Sequence, residues 1–446
     1  SRLKSAVLDV ADLAASVRGR AFIVGGAVRD FLLGREPKDF DIEVFGAGFE
    51  ELRHAISSKY RFKECGVSFG VLKLNDYDID IALPRRESKC GIGHHAFVVR
   101  GDPDLSVEEA SLRRDFTINA IYLDPLTGEI IDPHGGRIDL KNKVLRHVSE
   151  KFAEDPLRVL RGMQFVARFE LEPAKETVAV CRSVSIENLA RERIFEEWAK
   201  LILKGKAISS GLEFLRSTGW IKYFPQLESL IGCPQEPKWH PEGDVWEHTK
   251  CCLDAFAENR TGDEREDMIV GLAVLCHDFG KPLCTLYDVS RGHDELGVEP
   301  ARRFLLAMTN EEKLINEVLS LVRCHMRPFS MWKSNARDGA VKRLSCHVSS
   351  IERLLRVYQA DDLGRPPFPS NDEPIRWLRE KARNLNVLAE SPKMIFLGRH
   401  LISLGFKPGP VFKKILENMY THQLDGDFSD LPSAIEYFNR NKSNLL

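Results

Sequence analysis

Features typical of secreted, membrane-spanning or disulfide-rich proteins are absent from this sequence. No apolar run approaches the roughly 20 residues that a helix needs to cross a bilayer, so no membrane partner is predicted. The N-terminus lacks the basic stretch and apolar core of a signal peptide. Ten cysteines are scattered without a CxxC pair, which favours reduced thiols in a cytoplasmic protein. The adjacent Cys251 and Cys252, in a helical pattern, are interpreted as packing residues.

A strong net charge is also missing, as are repeats of solenoid period and low-complexity segments. The 64 basic and 66 acidic residues leave a formal net charge of −2. Because phosphate contacts dominate RNA binding, a chain with this balance must concentrate positive charge locally to hold RNA or polyphosphate. The composition therefore neither supports nor excludes an RNA partner. The 446 residues allow two to four domains of roughly 100–200 residues each.

The N-terminal part of the chain alternates strand and helix signals. Ala21–Val24 is a short apolar strand. The period-2 pattern of strands recurs in Asp39–Phe45, Val71–Leu74 and Asp78–Leu83. Residues 86–107 are rich in Gly, His, Asp and Pro, which predicts a long loop, and such a loop in a compact domain is usually functional or disordered.

The rest of the chain is helical in pattern. From about residue 154 onward, helical periodicity is interrupted by proline-containing breaks near residues 234–237, 366–369 and 408–410. The sequence therefore predicts an α+β fold, with an α/β head followed by a long helical body. His94 and His95 are interpreted as loop residues without an assigned role.

The most informative stretch runs from Val24 to Asp41. The pair Gly25–Gly26, between a strand and a helix, lets the main chain approach a phosphate, which N–H groups at a helix start can bind. Arg29 would add positive charge beside a triphosphate. Asp39 and Asp41 are two residues apart, so both carboxylates point to the same face of a strand.

Two carboxylates on one face repel each other unless a cation lies between them. Mg²⁺ is commonly held by one or two carboxylates and substrate phosphates. Two such metals about 4 Å apart can activate a 3′-hydroxyl and stabilise the leaving pyrophosphate. Asp80, on the second acidic strand, is the candidate third ligand, and Asp78 on the same face stays an alternative. A solvated strand edge is the other interpretation of Asp39 and Asp41, but the glycine pair upstream favours catalysis.

Five motifs in order resemble those of class II tRNA nucleotidyltransferases and bacterial poly(A) polymerases: Gly25–Asp41, Arg113–Ala120, Asp132–Leu140, Glu154–Arg161 and Arg191–Ile194. The resemblance covers essentially the whole chain. It implies a polymerase-β-like nucleotidyltransferase head, a mixed sheet with helices, followed by an all-α neck, body and HD/tail region. The implied segments are a catalytic head at 1–145, a neck and body with a nucleotide-recognition helix at 146–235, an HD-type domain at 236–370 and a tRNA-binding tail at 371–446.

In that family a Glu-Asp-x-x-Arg helix acts as a protein template for the incoming base. The resemblance implies that Asp155 and Arg158 hydrogen-bond the Watson–Crick edge of CTP or ATP. Residues i and i+3 share a helix face. A carboxylate accepts from an amino group, and an arginine donates to a ring nitrogen or carbonyl oxygen. The resemblance also assigns nucleotide contacts, some of them to ribose and triphosphate, to Arg113, Asp115, Asn119 and Arg161.

A second constellation lies in the helical half. Its imidazole and carboxylate side chains follow the order H…HD…H…H…D: His248, His277, Asp278, His293, His325 and Asp361. This order resembles HD-superfamily phosphohydrolases, which can hold two divalent metals. Such ligands suit Mn²⁺, Ni²⁺, Fe²⁺ or Zn²⁺, and an activated water would attack a phosphoester. The alternative is a vestigial HD module that serves as a scaffold. Gly280 is predicted to end the helix so that His277 and Asp278 both reach one ion.

Two segments near the C-terminus, Gly398–Ile402 and Gly405–Pro410, resemble the tail of the same HD-bearing enzymes. The family usually has Asp where His400 stands. The Gly-Pro turn either offers N–H groups to an RNA phosphate or simply connects two helices.

These patterns predict a CCA-adding enzyme, which adds C, C and A in turn to the 3′ end of tRNA from CTP and ATP and releases pyrophosphate. In the family that the motifs resemble, CC-adding enzymes tend to have an altered segment before the motif that matches Arg113–Ala120. The segment looks full length here, so the resemblance argues against a CC-adding enzyme. An A-adding enzyme and a poly(A) polymerase stay open. A phosphohydrolase of the HD class with a nucleotide-binding head, or a non-catalytic tRNA-binding protein, would not need Asp39 and Asp41.

Overall fold

The computed structural model describes residues 2–65, 70–89, 97–286, 289–348 and 350–445. His94 and His95 lie outside the described residues. The chain divides into two compact units. The first contains the residues up to Leu201 together with Ser210–Tyr223, and the second contains Ile202–Ser209 and the residues from Phe224 onward.

The described residues form short strands, which are β1 (Arg20–Val24), β2 (Phe40–Phe45), β3 (Phe62–Cys65), β4 (Val71–Leu74), β5 (Ile79–Ala82), β6 (Arg85–Lys89), β7 (Phe97–Gly101), β8 (Tyr122–Leu123), β9 (Ile130–Ile131), β10 (Val144–Leu145), β11 (Glu172–Pro173), β12 (Thr285–Leu286) and β13 (Val289–Ser290).

The helices of the first unit and its boundary are α1 (Arg2–Ser16), α2 (Gly26–Leu32), α3 (Phe49–Ser57), α4 (Val107–Ser111), α5 (Gly136–Lys141), α6 (Leu157–Phe169), α7 (Lys175–Ser183), α8 (Arg191–Lys204) and α9 (Ile208–Ser217). Helices α8 and α9 contribute residues to both units. Single 3-10 turns lie at Thr117–Asn119, Glu150–Glu154 and Trp220–Tyr223.

The helices of the second unit are α10 (Pro225–Glu228), α11 (Val245–Glu258), α12 (Glu264–Cys276), α13 (Lys281–Cys284), α14 (His293–Leu296), α15 (Val298–Leu306), α16 (Glu312–Cys324), α17 (Arg327–Lys333), α18 (Asp338–Val348), α19 (Ile351–Leu363), α20 (Glu373–Asn384), α21 (Gly398–Ser403), α22 (Val411–Asp425) and α23 (Leu431–Leu445).

A seven-stranded mixed sheet organises the first unit, in the order β3-β4-β5-β2-β1-β8-β9. Strands β2 and β5 pair in parallel, whereas β1 pairs with β2 and β8 in antiparallel fashion. The alternating residues of β2 send Phe40, Ile42 and Val44 into an apolar core that also contains residues of α1. This alternation leaves the acidic positions of β2 on the opposite face, where the candidate site lies.

The predicted strands agree with the structure to within one or two residues. Ala21–Val24 corresponds to β1, Asp39–Phe45 to β2, Val71–Leu74 to β4 and Asp78–Leu83 to β5. The prediction of one long loop at 86–107 is wrong for the described residues 86–89 and 97–101, because β6 and β7 pair there in antiparallel fashion. The apolar Phe97, Val98 and Val99 in β7 are typical strand residues that the overall composition concealed.

The second unit is almost entirely helical, as the pattern predicted. The proline-containing breaks coincide with the connections before α11, after α19 and before α22. The last helices have an apolar core of their own, which includes Phe396, Met419 and Phe438. Within the described residues, no helix has both the length and the apolar character needed to span a bilayer. The predicted α+β class with a helical body is confirmed.

Candidate active site and metal clusters

Three predicted carboxylates meet at the paired strands β2 and β5. Asp39 immediately precedes β2, and Asp41 lies directly opposite Asp80 across the parallel pair. Asp41 lies at an exposed position, yet crowding desolvates its carboxylate and raises its pKa, and Asp80, Asp39 and Glu43 raise it further against the opposing effect of Arg114. Accumulated negative charge of this kind attracts a cation.

Asp80 carries a further sign that the strand pair is built for a cation. Its Oδ1 atom is buried and accepts no hydrogen bond, while Lys73 lies 3.6 Å from the same oxygen. Buried polar atoms normally have a partner. Carboxylates from β2 and β5 therefore fit the oxygen ligands that Mg²⁺ prefers. Asp78, the alternative ligand, is exposed and lies just before β5 begins.

Glu43 is a carboxylate that the sequence analysis did not assign. It lies two residues beyond Asp41 on β2, so it faces the same side of the strand. Arg114 donates to Glu43 Oε1 at 2.8 Å and to the Tyr122 hydroxyl at 3.3 Å. Burial opposes the charge of this guanidinium, but Glu43, Tyr122 and Asp41 together outweigh burial and hold the pKa of Arg114 above its usual value. The signal in the sequence was the acidic alternation that continues from Asp39.

The glycine turn brings the main chain close to this carboxylate face. Gly25 precedes α2 with a φ of +70°, a left-handed conformation that favours glycine. A Cβ atom on Gly25 would lie 3.6 Å from Asp41 Oδ2, and one on Gly26 would lie 3.3 Å from Arg29 Nη2. The predicted strand–turn–helix arrangement is therefore present, and the turn lies directly beside the carboxylates.

Four predicted nucleotide-binding side chains form one hydrogen-bonded chain. Arg29 Nη1 donates to Asn119 Oδ1 at 2.8 Å, and Asn119 Nδ2 donates to Asp115 Oδ1 at 3.1 Å. Arg161 Nε donates to Asp115 Oδ2 at 2.7 Å. Burial alone would raise the pKa of Asp115, but Arg161 and Asn119 hold it below its usual value. The chain fixes both arginines in place and keeps Asp115 ionised.

Positive charge is concentrated around Phe169 at the end of α6. The guanidinium carbons of Arg29, Arg168 and Arg35 lie 4.3, 5.1 and 5.3 Å from the centre of this ring. Burial and the nearby charge of Arg29 lower the pKa of Arg168 to about 10. The near-neutral chain thus has the local positive charge that binding of polyphosphate requires.

Asp155 and Arg158, the predicted template pair, lie at the start of α6 and contact other parts of the first unit. Asp155 Oδ1 accepts from the main-chain N–H of Leu157 at 3.0 Å, and Oδ2 accepts from Arg193 Nη2 at 3.2 Å. Arg193 belongs to the motif Arg191–Ile194, so the structure joins two motifs that are far apart in sequence.

Near the start of α6, Arg158 and Arg113 both donate hydrogen bonds to main-chain carbonyl oxygens. Arg158 donates to the carbonyl oxygens of Lys151, at 2.7 Å, and of Arg113. Arg113 in turn donates to the carbonyl oxygen of Arg85 at 3.0 Å. The predicted residues of this region are thus held close to one another.

In the second unit, the six predicted HD ligands come together in the interior. His248 Nε2 lies 3.0 Å from Asp361 Oδ1, and Asp278 Oδ2 lies 3.2 Å from His277 Nε2. His293 Nε2 lies 3.4 Å from Asp278 Oδ1 and 3.1 Å from His325 Nε2. All the histidines among them and Asp278 are buried.

Two of these histidines lie where helices end. Helix α12 ends at Cys276 and α16 ends at Cys324, so His277 and His325 are the next residues. Each Nδ1 atom lies 2.7 Å from the carbonyl oxygen three residues earlier. This hydrogen bond leaves Nε2 for the cluster, an orientation typical of metal-binding histidines.

The helix ends where it was predicted to end, but not because of Gly280. This residue does not have the positive φ of a glycine that terminates a helix. A Cβ atom at Gly280 would lie 2.0 Å from the carbonyl oxygen of His293 and 2.6 Å from the amide nitrogen of Gly297. Gly280 is therefore needed for close approach of the segment that carries His293.

Sequence reasoning missed several side chains that adjoin this cluster. Glu242 Oε1 lies 2.7 Å from His248 Nδ1 and 2.8 Å from His240 Nδ1. Burial would raise the pKa of Glu242, but hydrogen bonds from these histidines lower it to about 2. Lys281 Nζ lies 2.7 Å from Asp278 Oδ2. Pro234 and Pro237, a few residues upstream, had marked this region only as a break between helices.

The donor atoms form three groups that could each hold an ion: His248, Cys252, His277 and Asp361; Asp278, His293 and His325; and His240, Glu242 and His248. Asp278 lies at the border of the first group, because its Oδ2 atom is 3.2 Å from His277 Nε2.

Buried polar atoms at this border fit a bound metal. His277 Nε2 makes no well-aligned hydrogen bond, and the two carboxylate oxygens of Asp278 face nitrogen atoms of His277, His293 and Lys281. Burial, with His277 and His293 nearby, lowers the pKa of His325 to about 4, so its imidazole is neutral as metal binding requires. Nitrogen and carboxylate donors of this kind suit a divalent transition metal.

The unusual His400 of the tail has a structural role. Its Nδ1 accepts a hydrogen bond from the main-chain N–H of Leu397 at 3.0 Å, just before α21 begins. Gly405 follows α21 with a φ of +87°, and α22 starts after Pro410. An accepting imidazole therefore serves at the third position of this helix, where Glu or Gln is the usual acceptor for the N–H of the capping residue.

Comparison with known proteins agrees with this architecture. A family model for the poly A polymerase head domain matches residues 21–146, and a model for the probable RNA and SrmB-binding site of polymerase A matches residues 169–231. A multifunctional CCA protein of Acinetobacter baumannii is 33% identical over 419 residues, which cover 88% of this chain and 98% of the relative. The protein of that name from Xanthomonas campestris pv. campestris is 35% identical over 364 residues, with 78% and 85% covered.

Solved structures share the fold. The CCA-adding enzyme of Bacillus stearothermophilus, in complex with CTP, aligns with a TM-score of 0.68 and 23% identity over 98% of both chains. The Thermotoga maritima CCA-adding enzyme, complexed with tRNA, aligns with a TM-score of 0.57 and 20% identity over 97% of this chain and 93% of its own.

The head-domain match, the mixed sheet and the carboxylates at β2 and β5 together define a nucleotidyltransferase with a poly A polymerase-type head. The sequence identity to the Acinetobacter and Xanthomonas proteins extends over most of this chain and most of each relative. This identity shows to which family of such nucleotidyltransferases the chain belongs. The chain belongs to the multifunctional CCA protein family. The family predicted from the five motifs is thereby confirmed.

Proposed function

We propose that this protein adds C, C and A in turn to the 3′ end of tRNA, using CTP and ATP and releasing pyrophosphate. The observation that carries the proposal is the register of β2 and β5, which sets Asp41 opposite Asp80 beside the Gly25 turn. Curated relatives over most of this chain are named multifunctional CCA proteins. The substrates of the reaction suggest the cytoplasm as its location.

The head would act mainly by positioning and charge. Magnesium held by Asp39 and Asp41, with Asp80 as third carboxylate, would supply positive charge to the attacking 3′-hydroxyl and the departing pyrophosphate. Arg29 and the charge around Phe169 would hold the triphosphate. Gly25 and Gly26 leave room for phosphate against the main chain. The reaction joins the 3′-oxygen of the tRNA to the α-phosphorus of the nucleotide, and the bond between that phosphorus and the pyrophosphate breaks.

Base selection would take place at the start of α6. Asp155 would accept a hydrogen bond from the amino group of cytosine or adenine, and Arg158 would donate to the adjacent ring acceptor. Uracil and guanine offer the opposite pattern at that edge. Asp115, Asn119 and Arg161 would contact the ribose and phosphates, since they form one chain of hydrogen bonds with Arg29. Arg113 would join them.

The number and identity of the nucleotides added distinguish CCA addition from the related activities of CC-adding enzymes, A-adding enzymes and poly(A) polymerases. The test is to incubate the protein with tRNA that ends at the discriminator base, first with one nucleotide at a time and then with CTP and ATP together. Sequencing of the 3′ ends should show CCA. Ends that stop at CC, gain only A on a CC substrate, or grow into long A tails would instead indicate a CC-adding enzyme, an A-adding enzyme or a poly(A) polymerase.

We further propose a metal-dependent phosphohydrolase activity in the HD-type region of the second unit. The observation that favours it is the convergence of four buried histidines on the carboxylates of Asp278 and Asp361. A divalent transition metal bound there would supply the charge that activates a water molecule. His248, His293, His325 and Asp361 would complete the ligands. The substrates would be phosphomonoesters or 2′,3′-cyclic phosphates, such as occur at damaged RNA ends.

Metal analysis of the full chain tests this second activity. The whole protein should be used, because the compact second unit includes Ile202–Ser209 and extends beyond residue 370. Bound transition metal, together with hydrolysis after addition of Ni²⁺, Mn²⁺ or Mg²⁺, is expected. Absence of both would leave this region as a scaffold, for example for tRNA, which the tail from residue 371 is also proposed to contact.

A protein of another class, a phosphohydrolase whose head only binds nucleotide, makes a different prediction. It would hydrolyse phosphoesters but incorporate no nucleotide into tRNA under any combination of CTP, ATP and Mg²⁺. The end-sequencing experiment therefore separates the two classes directly.

A further inference from the structure

Cys252 lies among the predicted metal ligands of the second unit. It follows His248 by four residues on α11, so the two side chains share one face of the helix. Cys252 is fully buried, and its Sγ atom lies 3.4 Å from His248 Nε2. The donor atoms of Cys252, His248, His277 and Asp361 all lie within 4.8 Å of one another.

The spacing of these donors matches that of a tetrahedral metal site. Zinc binds thiolate sulfur at about 2.3 Å and imidazole nitrogen at about 2.0–2.1 Å, so two such donors are roughly 3.5 Å apart. The observed separation of Sγ and Nε2 is 3.4 Å, and that of His248 Nε2 and Asp361 Oδ1 is 3.0 Å. Both values allow one ion to contact all three atoms.

The packing around the thiol is specific. A Cβ atom on Gly364 would lie 2.2 Å from Cys252 Sγ, so only glycine leaves space for the sulfur at that point. Gly364 directly follows α19, which carries Asp361, and its carbonyl oxygen lies 3.1 Å from His248 Nδ1. His277 Nε2, in the same group of four donors, is buried and makes no well-aligned hydrogen bond, although Asp278 Oδ2 lies 3.2 Å away. The thiol and this nitrogen thus adjoin the same small space.

We propose that Cys252 is a thiolate ligand of the metal held by His248, His277 and Asp361. The inference rests on the proposed metal centre and adds a ligand that its H…HD…H…H…D pattern does not contain. Binding would transfer the thiol proton to solvent, since the thiolate is the ligand form. Sulfur favours softer ions such as Zn²⁺ over Mg²⁺. The neighbouring group of Asp278, His293 and His325 has only nitrogen and oxygen donors. This group and the group that contains Cys252 would therefore prefer different metals.

Cobalt substitution of the full-length protein tests the proposal. Metal-free protein titrated with Co²⁺ should develop an intense near-ultraviolet thiolate-to-cobalt absorption band as well as weak visible bands. In Cys252→Ser the near-ultraviolet band should disappear, with cobalt still bound and its affinity lowered about tenfold or more. Cys251→Ser and Cys276→Ser are matched controls, because these cysteines flank Cys252 and His277 in sequence, and both should keep the band.

A second measurement needs no variant. X-ray absorption of the zinc-loaded wild-type protein should show a sulfur neighbour at about 2.3 Å beside nitrogen and oxygen neighbours. Cobalt or zinc bound with only nitrogen and oxygen neighbours overturns the thiolate ligand but leaves the metal centre standing. A wild-type protein that binds neither ion overturns both the ligand and the centre. A near-ultraviolet band that survives in Cys252→Ser and is lost in a control also overturns the assignment.

Discussion

The two candidate sites of this chain differ in donor atoms, burial and origin. The head site consists of carboxylate oxygens on adjacent strands, with Asp39 and Asp41 exposed. The helical cluster consists of imidazole nitrogens, carboxylates and a sulfur, and most of them are buried. Oxygen ligands that remain open suit Mg²⁺, which keeps waters and binds substrate phosphates. Buried nitrogen donors suit a resident transition metal that stays bound between turnovers.

The two sites are also positioned by different kinds of structure. In the head, strand register sets Asp41 opposite Asp80, so residues 39 apart in sequence meet through one main-chain pairing. In the second unit, His277 and His325 each follow the last residue of a helix and His248 lies within one. Displacing a single helix end would therefore disturb the cluster, whereas the head site depends on the integrity of a sheet.

The largest expected effect concerns the head alone. Asp39→Ala or Asp41→Ala should lower nucleotide addition by about 10³-fold or more, because positioning and charge carry most of phosphoryl transfer. The measurement is single-turnover incorporation of CTP into tRNA, with tRNA binding and the melting temperature as checks of the fold. The control is Asp76→Ala, which removes an exposed carboxylate near the start of β5. Its rate of nucleotide addition should stay within about twofold of the wild-type rate, because surface substitutions usually have small effects. Near-normal rates in either variant would show that the carboxylates do not hold the metal.

A double substitution in the helical cluster should have the converse effect. His277→Ala with Asp278→Ala is expected to abolish phosphoester hydrolysis, a loss of about 10²-fold or more, and to lower the content of transition metal. Nucleotide addition should be retained, because the two sites use different ligands in different units. His347→Ala removes an exposed histidine of α18 as a control. A parallel loss of both activities would contradict the independence of the two sites.

A smaller effect is expected on the choice of nucleotide. Asp155→Ala should allow UTP or GTP to enter more readily and narrow the preference for CTP and ATP by about 10²-fold in kcat/KM. The substitution removes the carboxylate that would accept a hydrogen bond from the amino group of cytosine or adenine. It also removes the partner of Arg193, which lies 3.2 Å from Asp155. Glu150→Ala alters an exposed carboxylate that precedes the template motif and should keep the selectivity. Unchanged single-nucleotide preferences in Asp155→Ala would mean that base selection lies elsewhere.

The smallest predicted effect is on stability. Gly280→Ala forces a Cβ atom against the carbonyl of His293, which should lower the free energy of unfolding by about 1–3 kcal/mol, the range for overpacking. Metal affinity of the cluster should fall with it, while addition of nucleotides should change little. Gly409→Ala is the control, since a Cβ there would meet only one atom, at 3.9 Å. Calorimetry of both variants, with and without metal, separates the local clash from a general effect of alanine.

The sequence allowed the order of the elements to be predicted, because alternation and turn residues are local signals. Strands β1, β2, β4 and β5 followed from such patterns. The pairing of β6 with β7 did not, since it depends on main-chain hydrogen bonds between two segments that are apart in sequence. Which residues would be brought together was predictable only where a known motif order named them. Glu242 escaped because its contact with His248 arises from packing. Cys252 lies four residues after His248, but its adjacency to Cys251 indicated only packing.

The hydrogen bonds at the start of α6 have a consequence for fidelity. Asp155 and Arg158 bind Arg193, the main chain at Leu157 and the carbonyl oxygens of Lys151 and Arg113. If these side chains read the base, an incoming nucleotide must exchange existing bonds for new ones. A base with the correct edge would replace each bond that it breaks, so the net gain is modest and release is easy. A base with the wrong edge would break these bonds without replacing them, which costs free energy. Rejection would thus arise from competition within the protein itself.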